Sequence, residues 1–395
     1  MSHLVLKPGR EKSVRRRHPW IFSGAVSQTK GSPAPGSVVR VLDANGDFLA
    51  WGYYNGQSKI QVRLLEWSED VRIDGTWWRR RLEDSILRRA ALANRSDLDS
   101  YRLVNAEADL LPGLVVDRYG DFLVLQPLTA GIQRIKHELA ECLDALLRPT
   151  GVYEKGDSWS LSLEGVDAES GVLRGEEPPD RVCICECGHR FWVDLKRGQK
   201  TGFFLDQRFN RDAVARYAQG KRVLDCFAYT GAFSVYAAAA GAVSVTRVEG
   251  SSEAFALSEE NLRLNGLVSA DRESCEGNAF EVLRGFRDRA HTFDMVVLDP
   301  PKFAHARSTI ESAARGYKDI NLLAIKLLLP EGILATFSCS GNVSADRFQR
   351  IVSEAATDAG RQVQVLDQLA HGPDHPTLLS FPESMYLKGL ICRVL

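Results

Sequence analysis

β-branched and aromatic residues alternate or cluster through Ser37–Asp43, Asp47–Tyr54 and Ser58–Glu66, and Asn45-Gly46 and Asn55-Gly56 separate the three runs. Asn-Gly between such runs supplies the positive-φ pair of a tight hairpin, so the front of the chain predicts a small β-barrel. In TWWRRRLEDSILRRAALA, Trp78, Leu82, Ile86 and Ala90 recur every fourth residue after a capping Asp74, which predicts a helix with an Arg-rich outer face. Gly113–Arg118 and Asp121–Pro127 read as a hairpin turning at Tyr119-Gly120. Ile132–Arg148 reads as an amphipathic helix stopped by Pro149. Ser170–Asp180, holding Gly171, Gly175, Pro178 and Pro179, reads as a loop, and Val182–Val193 as two strands turning near Gly188.

From about Phe191 the pattern changes. Apolar runs at Arg222–Cys226, Ser244–Glu249, Phe293–Leu298 and Gly332–Phe337 alternate with helical stretches such as Glu253–Asn265. Alternating strands and helices predict an α/β domain whose mainly parallel sheet is covered on both faces. Three domains are therefore expected, over residues 1–75, 76–190 and 191–395.

Ligands of open α/β sheets bind beyond the carboxyl ends of the strands. The residues expected there are Asp225, Glu249, Asp299 and Cys339. In RVLDCFAYTGAFSVYAAAAG, Asp225 ends the first strand, a turn with the single glycine Gly231 follows, and an Ala-rich helix comes next. A dinucleotide loop needs three glycines so that backbone approaches a pyrophosphate. One glycine fits a ligand that carries a nucleoside without phosphate, as S-adenosylmethionine does. Glu249 stands where an acid accepts both ribose hydroxyls. Asp299-Pro300-Pro301-Lys302-Phe303 follows a buried-type strand; two prolines hold Asp299 stiffly at the sheet edge, and Phe303 lines a base-sized slot. Cys339, in Phe337-Ser338-Cys339-Ser340-Gly341, is a nucleophile only where its surroundings favour thiolate. Lys302, Lys200 and Arg208 are the candidate cations.

Net charge is −1, so any nucleic-acid surface has to be local. Such a concentration exists at the front, where Lys7, Arg10, Lys12, Arg15, Arg16 and Arg17 face one acid, Glu11, just before Trp20. Basic residues and Trp20 on a barrel rim suit phosphate contacts and base stacking. Cys183, Cys185, Cys187 and His189 lie two apart on one face of a strand, whereas zinc sites usually wrap a turn between paired ligands. They read as small apolar strand residues, and no metal is expected. Eight unevenly spaced cysteines form no secreted framework, and neither a signal segment nor a long apolar run is evident, so a cytoplasmic protein off the membrane is expected.

With Arg222–Gly241, Glu249, DPPKF and FSCSG in hand, the chain resembles the RlmI-like family of ribosomal RNA large-subunit (cytosine-5)-methyltransferases over nearly its whole length. KPGREKSVRRRHPWIFSGAV resembles the start of a PUA domain, and the middle resembles that family's α+β linker domain. KTGFFLDQR, LDCFAYTGAF, VLDPPKF, RGYKDINLLA and ATFSCSG follow in the family's order. The resemblance implies a class I, Rossmann-like methyltransferase domain with S-adenosylmethionine as cofactor. Phe227, Tyr229, Thr230 and Gly231 would cradle it beside Asp225 and Asp299, Glu249 would hold its ribose, and Gln207 its methionine end. Asn278 stands where the family more often has an acid and would meet the adenine. Cys339 matches the cysteine that attacks cytosine, and Asp299 the acid that steadies the ring. Lys302 stands where another group of such enzymes has a second cysteine, so the base that removes the last proton is unassigned. Arg10, Arg15, Arg16, Arg17, Trp20, Lys200, Arg208 and Lys302 are the expected RNA contacts, with large-subunit ribosomal RNA as partner and a homodimer as the assembly. Two other readings stay open: a guanine methyltransferase with Cys339 as bystander, and an RNA-binding assembly factor without turnover.

Overall fold

The computed structural model of the chain describes residues 2–267, 274–303 and 310–395. It divides into two compact units, one of residues 1–187, 193–205 and 373–384, the other of residues 188–192, 206–372 and 385–395.

In the first unit, a six-stranded sheet runs in the order Trp20–Phe22, Ile60–Glu66, Phe48–Tyr54, Ser37–Leu42, His3–Leu6, Val26–Lys30. The two expected hairpins form, and Leu42 pairs with Phe48 across the first. Asp43 organises that turn, because its Oδ1 accepts from the backbone N–H of Asn45 (2.9 Å) and Asp47 (3.0 Å). The basic front is not a loose arm. His3–Leu6 is an inner strand, and Val14, on the short Lys12–Arg15 helix, is buried in the same core as Leu4, Leu6 and Val62.

A five-stranded sheet follows, ordered Ser170–Gly175, Gly151–Lys155, Phe122–Pro127, Leu114–Tyr119, Ser100–Asn105. The Gly75–Arg88 helix is capped by Asp74, which accepts from the N–H of Thr76 and Trp77, and Thr129 caps the Ala130–Leu147 helix. Trp78, Leu82, Leu139 and Leu143 share one buried core. Three strands depart from expectation. Ser100–Asn105 and Gly151–Lys155 had no assignment, and Ser170–Gly175 forms a strand where a loop was expected, paired antiparallel to Gly151–Lys155. An edge strand is held by backbone pairing, which a Gly-rich stretch provides without any apolar alternation. The cysteines also differ from expectation. Val182, Ile184 and Glu186 face inward, Cys183 is exposed, and Cys187 lies in the turn at φ 50°. Cys185 is tied down by backbone, its N–H donating to Asp99 (2.8 Å) and its thiol to the carbonyl of Asp97 (3.3 Å).

Two downstream segments join this unit through polar contacts. Thr201 donates to Asp117 (2.6 Å), the N–H of Phe203 donates to the Tyr119 hydroxyl (3.2 Å), and Arg89 donates to the carbonyl of Asp374 (2.9 Å).

The second unit is a seven-stranded sheet in the order Cys275–Glu276, Ser244–Glu249, Arg222–Cys226, Phe293–Leu298, Leu328–Ser338, Lys388–Val394, Val363–Ala370. The first five are parallel, and Lys388–Val394 is antiparallel to both its neighbours. Leu224, Val296 and Leu298 enter one core and Val223, Met295 and Val297 another. Successive side chains point to opposite faces, so apolar runs without alternation are what a sheet covered on both sides requires. The last two strands were not expected; Val363–Ala370 is half exposed and carries little apolar signal. No helix among the described residues is long and apolar enough to cross a membrane.

Candidate functional site

The four expected strand-end residues belong to the second unit, at the carboxyl ends of adjacent parallel strands. The turn after Arg222–Cys226 is strained: Phe227 (φ 61°), Tyr229 (φ 49°) and Gly231 (φ 78°) are all left-handed. For the two aromatic residues this costs on the order of 1–3 kcal/mol each, and such strain gathers at ligand sites. Gly231 is required twice over, by its φ and because a Cβ there would lie 2.8 Å from the Ser258 Cβ.

Glu249 braces the turn. Its Oε2 accepts from the N–H of Tyr229 (2.7 Å) and its Oε1 from that of Ser251 (2.9 Å). Asn261 donates to the carbonyl of Thr230 (2.9 Å). Asp225 lies below, 1% exposed, with Oδ2 accepting from the Ser234 hydroxyl (2.6 Å). Burial pushes its carboxyl up to about 7, the charge of Asp299 adds to this, and Ser234 and Arg247 oppose it. Two buried polar atoms here, Asp225 Oδ1 and Thr230 Oγ1, have no hydrogen-bond partner among the described residues. Such atoms are costly unless a ligand or water meets them.

Asn278 caps the Ala279–Asp288 helix, its Oδ1 accepting from the N–H of Phe280 (2.9 Å). Gln207 is 2% exposed and accepts from Asn210 (2.6 Å). The N–H of Asp299 donates to the carbonyl of Cys226 (3.4 Å), which ties the DPPKF turn to the neighbouring strand end. Phe303 packs on Tyr317 (centroids 4.8 Å apart) and Phe280 (6.0 Å). The Cys339 thiol faces the carbonyl of Pro300 at 4.0 Å, so two motifs 39 residues apart in sequence converge.

Two groups beside Cys339 had no place in the sequence-based expectations. Tyr317 is buried, and burial and the charge on Cys339 both push its phenol above the usual range. Lys388 is 8% exposed and donates to the carbonyls of Ser340 (2.5 Å) and Val343 (2.6 Å). Burial pulls its ammonium down to about 8; the charge of Cys339 works against this and that of Lys302 adds to it. The available signal was a lysine opening the apolar run KGLICRV.

The expected RNA contacts separate into groups. Arg10 and Arg16, with Lys12 and His18, line a groove of about 590 Å³ in the first unit, to which Leu379 and Ser380 also contribute. Arg15 is exposed and paired with Asp43 (3.1 Å), and Arg17 lies over the Trp67 ring (4.9 Å). Lys200 lies over the Phe204 ring (4.5 Å), and Lys302 is half-buried beside the Cys339 site. Two residues do not sit as expected. Arg208 is fully buried, because the first turn of the Arg208–Ala215 helix faces the interior. Trp20 is no open stacking platform. Its indole N–H donates to Glu107 (2.7 Å), Arg63 lies over its ring (5.0 Å) and Phe381 packs against it (4.6 Å).

The second unit thus carries, on a sheet of strand order 3-2-1-4-5-7-6 when its strands are numbered along the chain, a strained one-glycine turn with unmet buried acceptors, and the class of protein is that of S-adenosylmethionine-dependent methyltransferases. The S-adenosylmethionine-dependent methyltransferase family matches residues 164–393, and the PUA-like domain family matches residues 4–67. A SAM-dependent methyltransferase from Streptococcus mutans superposes with a TM-score of 0.86 at 25% identity, over the whole of both chains. A methyltransferase solved in complex with SAH superposes at 0.87 with 26% identity, again over the whole of both. Ribosomal RNA large subunit methyltransferase I of Tolumonas auensis is 46% identical and that of Cronobacter sakazakii 45%, each over 99% of both chains. The chain belongs to the ribosomal RNA large subunit methyltransferase I family.

Proposed function

We propose that this protein methylates carbon 5 of a cytosine in large-subunit ribosomal RNA, with Cys339 as nucleophile. The observation that carries the reading is the convergence of the Cys339 thiol on the Asp299-Pro300 turn, beside the strained donor turn. Phe227, Tyr229, Thr230 and Gly231 would hold the donor, with Glu249 on its ribose, Asn278 near its adenine and Gln207 toward its methionine end. The unmet acceptors of Asp225 and Thr230 fit that occupant. Bound S-adenosylmethionine supplies an electrophilic methyl group on a sulfonium.

Carbon 5 of cytosine is a weak nucleophile. Addition of the Cys339 thiolate to carbon 6 pushes an electron pair into the ring and makes carbon 5 enamine-like. Asp299 offsets the charge that builds at nitrogen 3 by a hydrogen bond or a proton. After carbon 5 has taken the methyl group, a base removes its proton, the carbon 5–carbon 6 double bond re-forms and the thiolate leaves. Placing the thiol and acid on rigid strand ends makes the attack effectively intramolecular. The basic groove of Arg10, Lys12 and Arg16 would add phosphate contacts from the PUA-like domain.

The test is incubation with S-adenosylmethionine and RNA containing 5-fluorocytidine, which blocks loss of the carbon 5 substituent and traps the adduct. Wild type should retain RNA on a denaturing gel and Cys339→Ala should not. Methylation of ordinary RNA by Cys339→Ala would overturn the thiol mechanism.

A further inference from the structure

We propose that Lys388 is a positioning residue for Cys339: its ammonium fixes the turn that carries the thiol and supplies the positive charge that keeps the thiol available as thiolate. This rests on the reading of Cys339 as nucleophile.

Ser338, the last strand residue before Cys339, is paired with Lys388 across the antiparallel ladder. The reversed strand therefore delivers its first side chain to the same end of the sheet at which the Leu328–Ser338 strand stops. The Lys388 ammonium is then held by two carbonyls of the following turn, those of Ser340 and Val343. Satisfying two carbonyls does not call for a lysine, since neutral amide donors would do so without burying a charge. Burying an ammonium is unfavourable unless something nearby gains from it.

Among the described residues, charged and titratable groups reach this place from several elements. Lys388 comes from its own strand, Lys302 and Asp299 from the turn after Phe293–Leu298, and Tyr317 from the Ile310–Leu327 helix. Lys302 and Lys388 repel each other, whereas Cys339 and Lys388 attract. The attraction is reciprocal: a thiolate that favours the ammonium is favoured by it. When the thiol ionises, its proton goes to solvent and Lys388 remains an ammonium, so no bond to Lys388 forms or breaks. Below a pH of about 8 the cation is present, which covers the range in which an ordinary thiol is mostly neutral.

The experiment follows alkylation of Cys339 by iodoacetamide in the full chain across pH 6 to 10, with the labelled peptide assigned by mass spectrometry. Wild type is compared with Lys388→Met, which keeps the length and removes charge and donors, and Lys388→Arg, which keeps both. At about pH 7, Lys388→Met should label about tenfold more slowly, converging on wild type near pH 10, as expected for a thiol pKa raised by about one unit. Lys388→Arg should restore the rate at pH 7. Superimposable profiles for wild type and Lys388→Met would overturn the proposal. So would Lys388→Arg labelling about tenfold more slowly than wild type at pH 7, a comparison that does not need the Met variant to fold. Labelling needs no RNA, so its outcome is separate from the 5-fluorocytidine result. Absence of an RNA adduct would count against the nucleophile reading, and an unshifted alkylation profile against Lys388.

Discussion

Two buried aspartates, one in each unit, are treated in opposite ways by the fold. Asp109 is 1% exposed, and both its oxygens take hydrogen bonds of 2.6 Å from Arg89, itself 2% exposed. Asp225 is equally buried, yet its hydrogen-bond partner is the Ser234 hydroxyl and its second oxygen has none among the described residues. The first arrangement completes itself. The second leaves an acceptor unmet beneath a strained turn and holds a carboxyl near neutrality at about 7. At Asp109 buried charge is matched by charge and serves the scaffold; at Asp225 it is left for something that binds. A buried carboxyl pushed up marks a ligand site where the geometry also leaves atoms without partners.

The strongest test removes the matching charge. Arg89→Met removes the buried guanidinium that holds both Asp109 oxygens, leaves the half-exposed Arg88 at 3.7 Å, and should cost about 3–5 kcal/mol, read as a lowered denaturant midpoint. A loss within the range of surface substitutions would mean that the pair is incidental.

The next test concerns pH. The folded pKa of Asp225 is raised from 3.8 to about 7, so the folded state holds the proton more tightly than the unfolded one. Its contribution to stability is full below about pH 4, falls as pH rises toward 7, and is flat above, a loss on the order of a few kcal/mol. Asp225→Asn should lack that slope, so its melting temperature should gain on wild type between about pH 5 and pH 8. Parallel pH curves would remove the contrast between the two aspartates.

Glu249→Gln addresses the ligand side. It should weaken binding of S-adenosylhomocysteine about tenfold by calorimetry, the value of one or two hydrogen bonds to a charged acceptor. An unchanged dissociation constant would confine Glu249 to bracing the Tyr229 turn. The smallest effect belongs to an aspartate near the surface with a purely local task. Asp74→Ala should cost about 1 kcal/mol through loss of the helix cap and leave cofactor affinity untouched.

Much of this site was legible because strand ends announce themselves. An apolar run stopping at Asp225, Glu249, Asp299 or Cys339 places each residue at one edge once the strands are parallel, and parallel strands follow from the intervening helices. Arg208 and Trp20 were misjudged for a common reason. A cation or an aromatic ring in sequence carries no label for the side from which its neighbours arrive, and both meet partners that local pattern does not reveal. Lys388 was missed because its importance comes from a residue 49 positions earlier, brought beside it by an antiparallel register.

By itself, then, the sequence determined what depends on local chemistry: the turns at Asn-Gly, the cap of Asp74, the one-glycine loop and the acids and thiol that end its strands. Tertiary structure alone decided which of those groups meet. It reversed Lys388–Val394 into the sheet, set Lys388 at the Cys339 turn and drew residues 373–384 into the first unit through Arg89. Periodicity reports which face a side chain takes, a property of a few bonds. Partnership between distant residues is decided by backbone pairing and charge compensation across the whole chain, and no short window of sequence contains it.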